Sequence, residues 1–323
     1  MNRLLRFVPA AVLTIVVAVL PLVVADRFLL KVFTFVGLNA LTAVGLALLF
    51  GYAGQVSLGH AAFVGIGAYA CAFCTTKLEL PWLAGFAIAA LLSALGGLLL
   101  SLPSLRLKGH YLAMASLGFG ELMSVAFVEG SPVTGGVNGL GGIPFPAIGA
   151  FEIREPATLY WLVWGVVGLA ALIAFNITSL RPGRAMRSLH GSELGAQACG
   201  VDVTGVKVRS FVLSAAFAGM SGALYASFVG FISPSVFTLS VSVNLLAMAV
   251  VGGTGSLIGP ILSAAALTLL QYIDALIPGL ARETAQVVQS FQADIYGLAI
   301  VLVVLFAPGG LAGLWRRRGG ERP

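Results

Sequence analysis

The sequence predicts an all-α fold: a polytopic transmembrane helix bundle of about ten membrane segments, some broken or re-entrant, forming one membrane domain over residues 1–323. Apolar residues make up 59% of the chain and charged residues only 9%, where a soluble domain carries about a quarter charged residues to cover its surface. Those apolar residues come in blocks of about 17–25, the length a helix needs to cross the hydrocarbon core of a bilayer. Basic residues are concentrated in alternate connections, which is the orientation signature of a multi-pass membrane protein.

Taken in order, the first block is Val8–Ala25. With Arg3 and Arg6 ahead of it, this stretch has the look of a signal peptide, but a second block begins after Lys31 and more follow, so it reads as an uncleaved first span. Then come Val32–Phe50, Val56–Thr76, Trp82–Ser101 and Tyr111–Val128. The connection 129–157 is expected to be external, and its run Thr134-Gly135-Gly136-Val137-Asn138-Gly139, with Pro144 and Pro146 behind it, excludes a regular helix. Thr158–Ile177 follows, and then the connection 181–209, expected to be cytoplasmic. Ser210–Phe231, Val241–Val251, Ile258–Tyr272 and Ile295–Leu311 complete the set.

Charge fixes the sidedness. With the N-terminus inside and sides alternating, only Arg27, Lys31, Lys77, Arg154 and Arg282 of the 18 Lys and Arg fall outside. The same rule bears on residues 241–272, which Gly252-Gly253-Thr254-Gly255-Ser256 interrupts. A single crossing there would put the basic tail at Arg316, Arg317 and Arg318 outside, so two short segments or a re-entrant pair are favoured.

A comparable break lies at Gly51-Tyr52-Ala53-Gly54-Gln55-Val56-Ser57-Leu58-Gly59-His60. Discontinuous helices at matching places in two halves of a transporter expose backbone groups to a solute path. The polar and small residues beside the breaks, Gln55, Ser57, Gly59, Thr254 and Ser256, with Asn138 of the external connection, are therefore the candidate path residues. Most of the 41 glycines are assigned instead to close helix packing. Glu121 stands in mid-span, where a charge is costly, and is expected to turn into the bundle. It joins the candidate path and is also the residue on which a proton-coupled carrier would depend.

The connection 181–209 is far longer than a turn requires. Its centre, Arg184 to Cys199, can form a surface helix that stops at Gly200. Such a helix would offer Met186, Leu189 and Leu194 to a partner groove, with Arg184, Arg187 and Glu193 as rim charges. Three arginines, Arg181, Arg184 and Arg187, would equally hold the loop on lipid headgroups. Both readings stand on the residues alone.

Several chemistries have no support. His60, His110 and His190 are dispersed and Cys71, Cys74 and Cys199 form no zinc array, so no metal site is expected. There is no phosphate-binding Gly-x-x-x-x-Gly-Lys-Ser/Thr loop, no nucleophile with a base and an orienter, and no reason to invoke a cofactor. The net charge of +6 belongs to membrane orientation rather than to nucleic acid.

Five ordered motifs carry a resemblance. They are Gly51–Phe63, Arg106–Met114, Thr134–Leu140, Arg181–Arg187 and Gly252–Pro260. Together they resemble the membrane permease subunits of branched-chain amino acid ABC importers, and within them the high-affinity M-subunit branch. The resemblance runs from about Asn39 to Pro308. It implies a type II-like importer permease in the bacterial inner membrane. Its partners would be a homologous second permease, two cytoplasmic ATP-binding subunits and a periplasmic solute-binding protein. It also implies a coupling helix at about Met186–Gly200, although Gly191-Ser192-Glu193-Leu194-Gly195-Ala196 departs from the Asn/Asp-Glu pair and Ala-Ala usual there. A related branch imports urea or short amides, and these motifs do not separate the two.

Overall fold

The computed structural model describes residues 26–104, 109–149 and 151–272, with residues 14, 17–21, 107, 297, 298 and 301 besides. The expected first and last spans, Val8–Ala25 and Ile295–Leu311, lie mostly outside the described residues.

Helix α1 (Arg27–Leu46) starts where Asp26 accepts from the Phe28 N–H at 2.8 Å, and it widens into a π turn over Ala47–Tyr52. After it come α2 (His60–Thr76), α3 (Trp82–Ser104) and α4 (His110–Glu129). A connection follows with one short helix, α5 (Ser131–Thr134), and strands β1 (Leu140–Gly141), β2 (Ala147–Ile148) and β3 (Phe151–Glu152). Then stand α6 (Pro156–Ser179), α7 (Arg181–Gly191), α8 (Glu193–Ala198) and α9 (Val203–Val229). Strand β4 (Phe231–Ile232), α10 (Leu239–Gly252) and α11 (Ile258–Gln271) close the described chain. Six helical stretches are long and apolar enough to cross a membrane: Arg27–Tyr52, Trp82–Pro103, His110–Glu129, Pro156–Ser179, Val203–Val229 and Pro234–Gly252. Helices α2 and α11 are apolar but shorter, so the described residues establish a polytopic helix bundle and not the count of ten.

The bundle is built around α9. This helix is crossed closely by α2 and α3 because small residues line the contact. A methyl group on Gly67 of α2 would overlap the backbone of Gly219, and one on Gly222 would overlap the carbonyl of Val64. Ser93 of α3 fills the adjoining space and donates to the Phe63 carbonyl at 3.0 Å. Backbones brought this close gain dispersion contacts that larger residues would prevent, which is how helices associate where lipid is as apolar as the core. Other hydroxyls and amides tie the remaining pairs: Ser221 to the Leu38 carbonyl at 2.8 Å, Asn39 to Thr268 at 2.8 Å and Trp82 to Ser227 at 2.8 Å. Helix α4 sits at the rim, with only 17% of its span covered by this chain.

Three expectations are corrected. The span expected from Val56 begins at His60, because Gly54 has φ +68° and the chain to Gly59 runs without helix. The span expected from Ser210 begins at Val203, where Asp202 caps the Gly205 N–H at 3.0 Å. The one helix expected over Arg184–Cys199 is two, because Ser192 takes an extended conformation and its hydroxyl accepts from the Gly195 N–H at 3.1 Å, starting a new helix. The connection 129–157 forms no long helix: besides α5 and a 3-10 turn at Gly136–Asn138, it holds β1 paired with β4 and β2 paired with β3, each antiparallel and two residues long.

Candidate functional site

The two breaks meet. Gly51, in the π turn that ends α1, lies against Thr254 and Gly255, with a methyl in its place 3.7 Å from the backbone of each. The second break is the turn expected from its glycines: α10 ends at Gly252, Gly253 and Gly255 take φ +95° and +75°, and α11 begins at Ile258. Those φ values strain any residue with a Cβ. The arms α10 and α11 then pack side by side, joined by Ser263 donating to the Met248 carbonyl.

From the π turn the first break runs as an extended strand of chain along α4. The Leu58 N–H donates to Ser116 at 2.9 Å, and Gly59 and Gly120 lie back to back, so that a methyl on Gly120 would stand 3.1 Å from the Gly59 Cα. Helix α2 therefore starts inside the bundle rather than at its end. Its free N-terminal groups find partners on other helices: the Ala61 N–H donates to Ser242 of α10 at 2.9 Å, and His60 shares a 3.2 Å hydrogen bond with Ser214 of α9. Three polar atoms of this stretch are buried without a partner, namely Gln55 Oε1, Ser57 Oγ and His60 Nδ1. An atom of this kind costs about 1–3 kcal/mol relative to a bonded one.

One end of the break touches the helix pair α7–α8. A methyl on Gly54 would stand 3.3 Å from the Cα of His190, and the guanidinium of Arg187 lies 5.7 Å from the centre of the Tyr52 ring. Arg187 also donates to the Thr178 carbonyl at 3.0 Å. Within the pair the sequence-derived roles divide. Arg184, Leu194 and Gly200 are exposed, whereas Met186 and Leu189 are buried against this chain's own core and offer nothing to a groove. Glu193 is turned inward too: its carboxylate pairs at 2.7 Å with Lys207 of α9, whose side chain is 2% exposed.

The path candidates also divide. Gln55 and Ser57 are buried, Gly59 is at the contact with α4, and Thr254 and Ser256 are half-buried in the turn beside Gly51. Asn138 stands exposed on its 3-10 turn beyond the far end of α4, away from the meeting point. Glu121 does not turn into the core of the described bundle; it is exposed on α4. It lies on a groove of about 80 Å³ between the first break, α4 and the start of α10. Sequence reasoning missed this groove and the start of α10, and the Lys207–Glu193 pair as well.

Comparison with known proteins decides the family. The family described as "Branched-chain amino acid transport system / permease component" matches residues 28–307. The chain belongs to this permease family. It is similar to the high-affinity branched-chain amino acid transport system permease protein LivM of Escherichia coli, at 30% identity over 93% of this chain and 75% of that protein. To LivM of Salmonella typhimurium it is 31% identical over 84% of this chain and 67% of that one. To the high-affinity branched-chain amino acid transport system permease protein LivH of Escherichia coli it is 25% identical over 85% of this chain and 91% of that one. No solved structure matches the chain. The permease is thus a multi-pass inner-membrane transport protein without catalytic function.

Proposed function

We propose that the permease is one of two homologous membrane subunits of an ATP-driven importer for branched-chain, hydrophobic amino acids. In this reading it is completed by a second permease, two cytoplasmic ATP-binding subunits and a periplasmic solute-binding protein. The observation that carries it is the direct contact of the first break with α7–α8. A surface helix pair that moves when ATP is bound or hydrolysed would push on His190 against Gly54 and on Arg187 against Tyr52, and both touch the chain leading to Gln55 and Ser57. Energy is thereby transmitted from the segment 181–209 to the candidate path without an ATP site in this chain. Exposed Arg184, Leu194 and Gly200 form the outer, partner-facing side of that pair; Arg187, Met186, Leu189 and Glu193 hold it to the bundle. Gln55, Ser57, Thr254 and Ser256 line the passage, and the unpartnered atoms of Gln55 and Ser57 find partners in water or solute when it opens.

The similarity of the LivM and LivH proteins, both named for branched-chain amino acid transport, favours that substrate over urea or short amides. The assay is uptake of labelled leucine, valine and urea by the full complex in proteoliposomes. ATP-dependent leucine uptake that survives collapse of the proton gradient supports the reading. Uptake by this chain alone, abolished in Glu121→Gln, would establish the proton-coupled carrier instead.

A further inference from the structure

We infer that the groove at Glu121 is a transient binding site for the zwitterionic backbone of an α-amino acid, with Glu121 receiving the ammonium and the N-terminus of α10 receiving the carboxylate. The inference rests on the importer reading above and names the chemistry of its site. Three features of the groove converge on this ligand. Its one charged lining side chain is the Glu121 carboxylate, and the hydroxyl-bearing Ser124 lines it one helical turn away. Opposite it lie Thr238 and Leu239, where α10 begins. This helix runs for 14 residues and has no side-chain cap, so the first N–H groups, those of Leu239 and Ser240, lack an acceptor within it and carry the positive end of its dipole. Between the two poles the walls are Leu58, Ala62, Leu117 and Phe237, which suit an aliphatic side chain.

Size and position agree. A groove of about 80 Å³ has room for several waters at about 10–15 Å³ each by the same measure. Leu58 belongs to the first break and Ser242, also on the groove, accepts the N–H of Ala61 at the start of α2. Any shift of the break relative to α10 therefore reshapes the site. The buried, unpartnered Ser57 and His60 atoms flank Leu58 in the chain, so the wall of the groove is also the part of the fold with bonding capacity held in reserve. A ligand that brings both charges satisfies both poles. An amide, urea, an amine or a carboxylate alone satisfies one pole at most and leaves the other desolvated.

Two readouts on the assembled complex test this. The first is ATP-driven leucine uptake, measured beside the ATPase activity elicited by the loaded binding protein. Glu121→Gln should lower uptake at least tenfold while the elicited ATPase stays within twofold, and Glu121→Asp should keep most of the uptake. Leu239→Pro removes one N–H from a helix start that tolerates proline and should lower uptake at least fivefold relative to Leu239→Ala, which shortens the same side chain and keeps the N–H. The second readout is saturation transfer from the complex, without binding protein, to leucine, isoamylamine or isocaproate, the last two lacking the carboxylate and the ammonium respectively. Leucine should receive at least fivefold more transfer than either analogue, and Glu121→Gln should erase the difference. Equal uptake by Glu121→Gln and the parent, equal uptake by Leu239→Pro and Leu239→Ala, or equal transfer to all three probes overturns the site. A parent complex that shows the leucine preference by transfer yet imports no leucine with ATP overturns the importer reading and leaves the site standing.

Discussion

Replacing Glu193 by glutamine should destabilise the permease by about 2–4 kcal/mol, well beyond what a surface ion pair is worth. The magnitude follows from the asymmetry of burial. Lys207 is 2% exposed and Glu193 20%, with Nζ and Oε1 2.7 Å apart. Leaving a buried ammonium unpaired costs about 3–5 kcal/mol. An escape limits that cost: α8 is six residues long and is held by the Ser192 cap and the burial of Ala196, so it can lift away and let Lys207 reach water. A cap is worth about 1 kcal/mol, and local opening of this kind is cheaper than a dry, unpaired charge. Lys207→Met keeps the apolar stem and removes the charge, and the Glu193 carboxylate opposite it is already partly hydrated. That variant should cost under about 1.5 kcal/mol. Unfolding in mixed micelles, with the double variant closing the cycle, should give a coupling energy of about 2 kcal/mol. Tryptic cleavage near Arg184 and Arg187 should accelerate in Glu193→Gln and not in Lys207→Met. A coupling energy below about 0.5 kcal/mol, or equal losses from the two single variants, would refute the reasoning.

Three further outcomes are expected. Met186→Ala should destabilise by about 2–5 kcal/mol, whereas the exposed changes Arg184→Glu and Leu194→Glu should leave stability within about 0.5 kcal/mol and lower ATPase association in pull-down; normal association in both would remove the partner-facing role of this surface. Gly67→Ala should cost at least about 1–3 kcal/mol by forcing α2 from α9, while Gly165→Ala on α6, where nothing lies within 4 Å of the added methyl, should be neutral or stabilise by up to about 1 kcal/mol; unfolding midpoints of the two variants compare them directly. Of the three cysteines, Cys199 is exposed and Cys71 and Cys74 are buried, so an impermeant maleimide should modify only Cys199, in inside-out vesicles and not in intact spheroplasts; labelling in spheroplasts would invert the orientation of the segment 181–209.

The spans were legible because their signal is one of length: some twenty apolar residues have few other uses. The second break was legible for a similar reason, since Gly252-Gly253-Thr254-Gly255 joins positive-φ geometry to a lapse in hydrophobic length. What the sequence obscured are matters of which body covers a face. Met186 and Leu189 form an apolar stripe at helical spacing, and the stripe is equally compatible with a partner groove and with this chain's own core; only the packing of α7 on the bundle decides for the core. Lys207 counted as one more orienting charge beside a span. It became a buried ion-pair member because Asp202 starts α9 seven residues earlier than hydropathy indicated, drawing the lysine inside the helix.

Glu121 carries the sharper lesson. The rule that an intramembrane charge faces the protein interior holds for a complete protein, and it was applied to a chain that is one subunit of an assembly. On the proposed stoichiometry the interior of the importer is the space between two permeases, and a residue exposed on one of them can face it. Among the described residues, helix α4 is the least covered of the six long apolar helices, and its exposed carboxylate lies on a groove shared with both the first break and the start of α10. A charge on a lipid-facing surface would be expensive at that depth. Its cost is therefore itself an argument that the α4 face meets another subunit or a solvated path. The same face joins the two halves of the argument, because the break that reaches Glu121 at one end reaches His190 and α7 at the other.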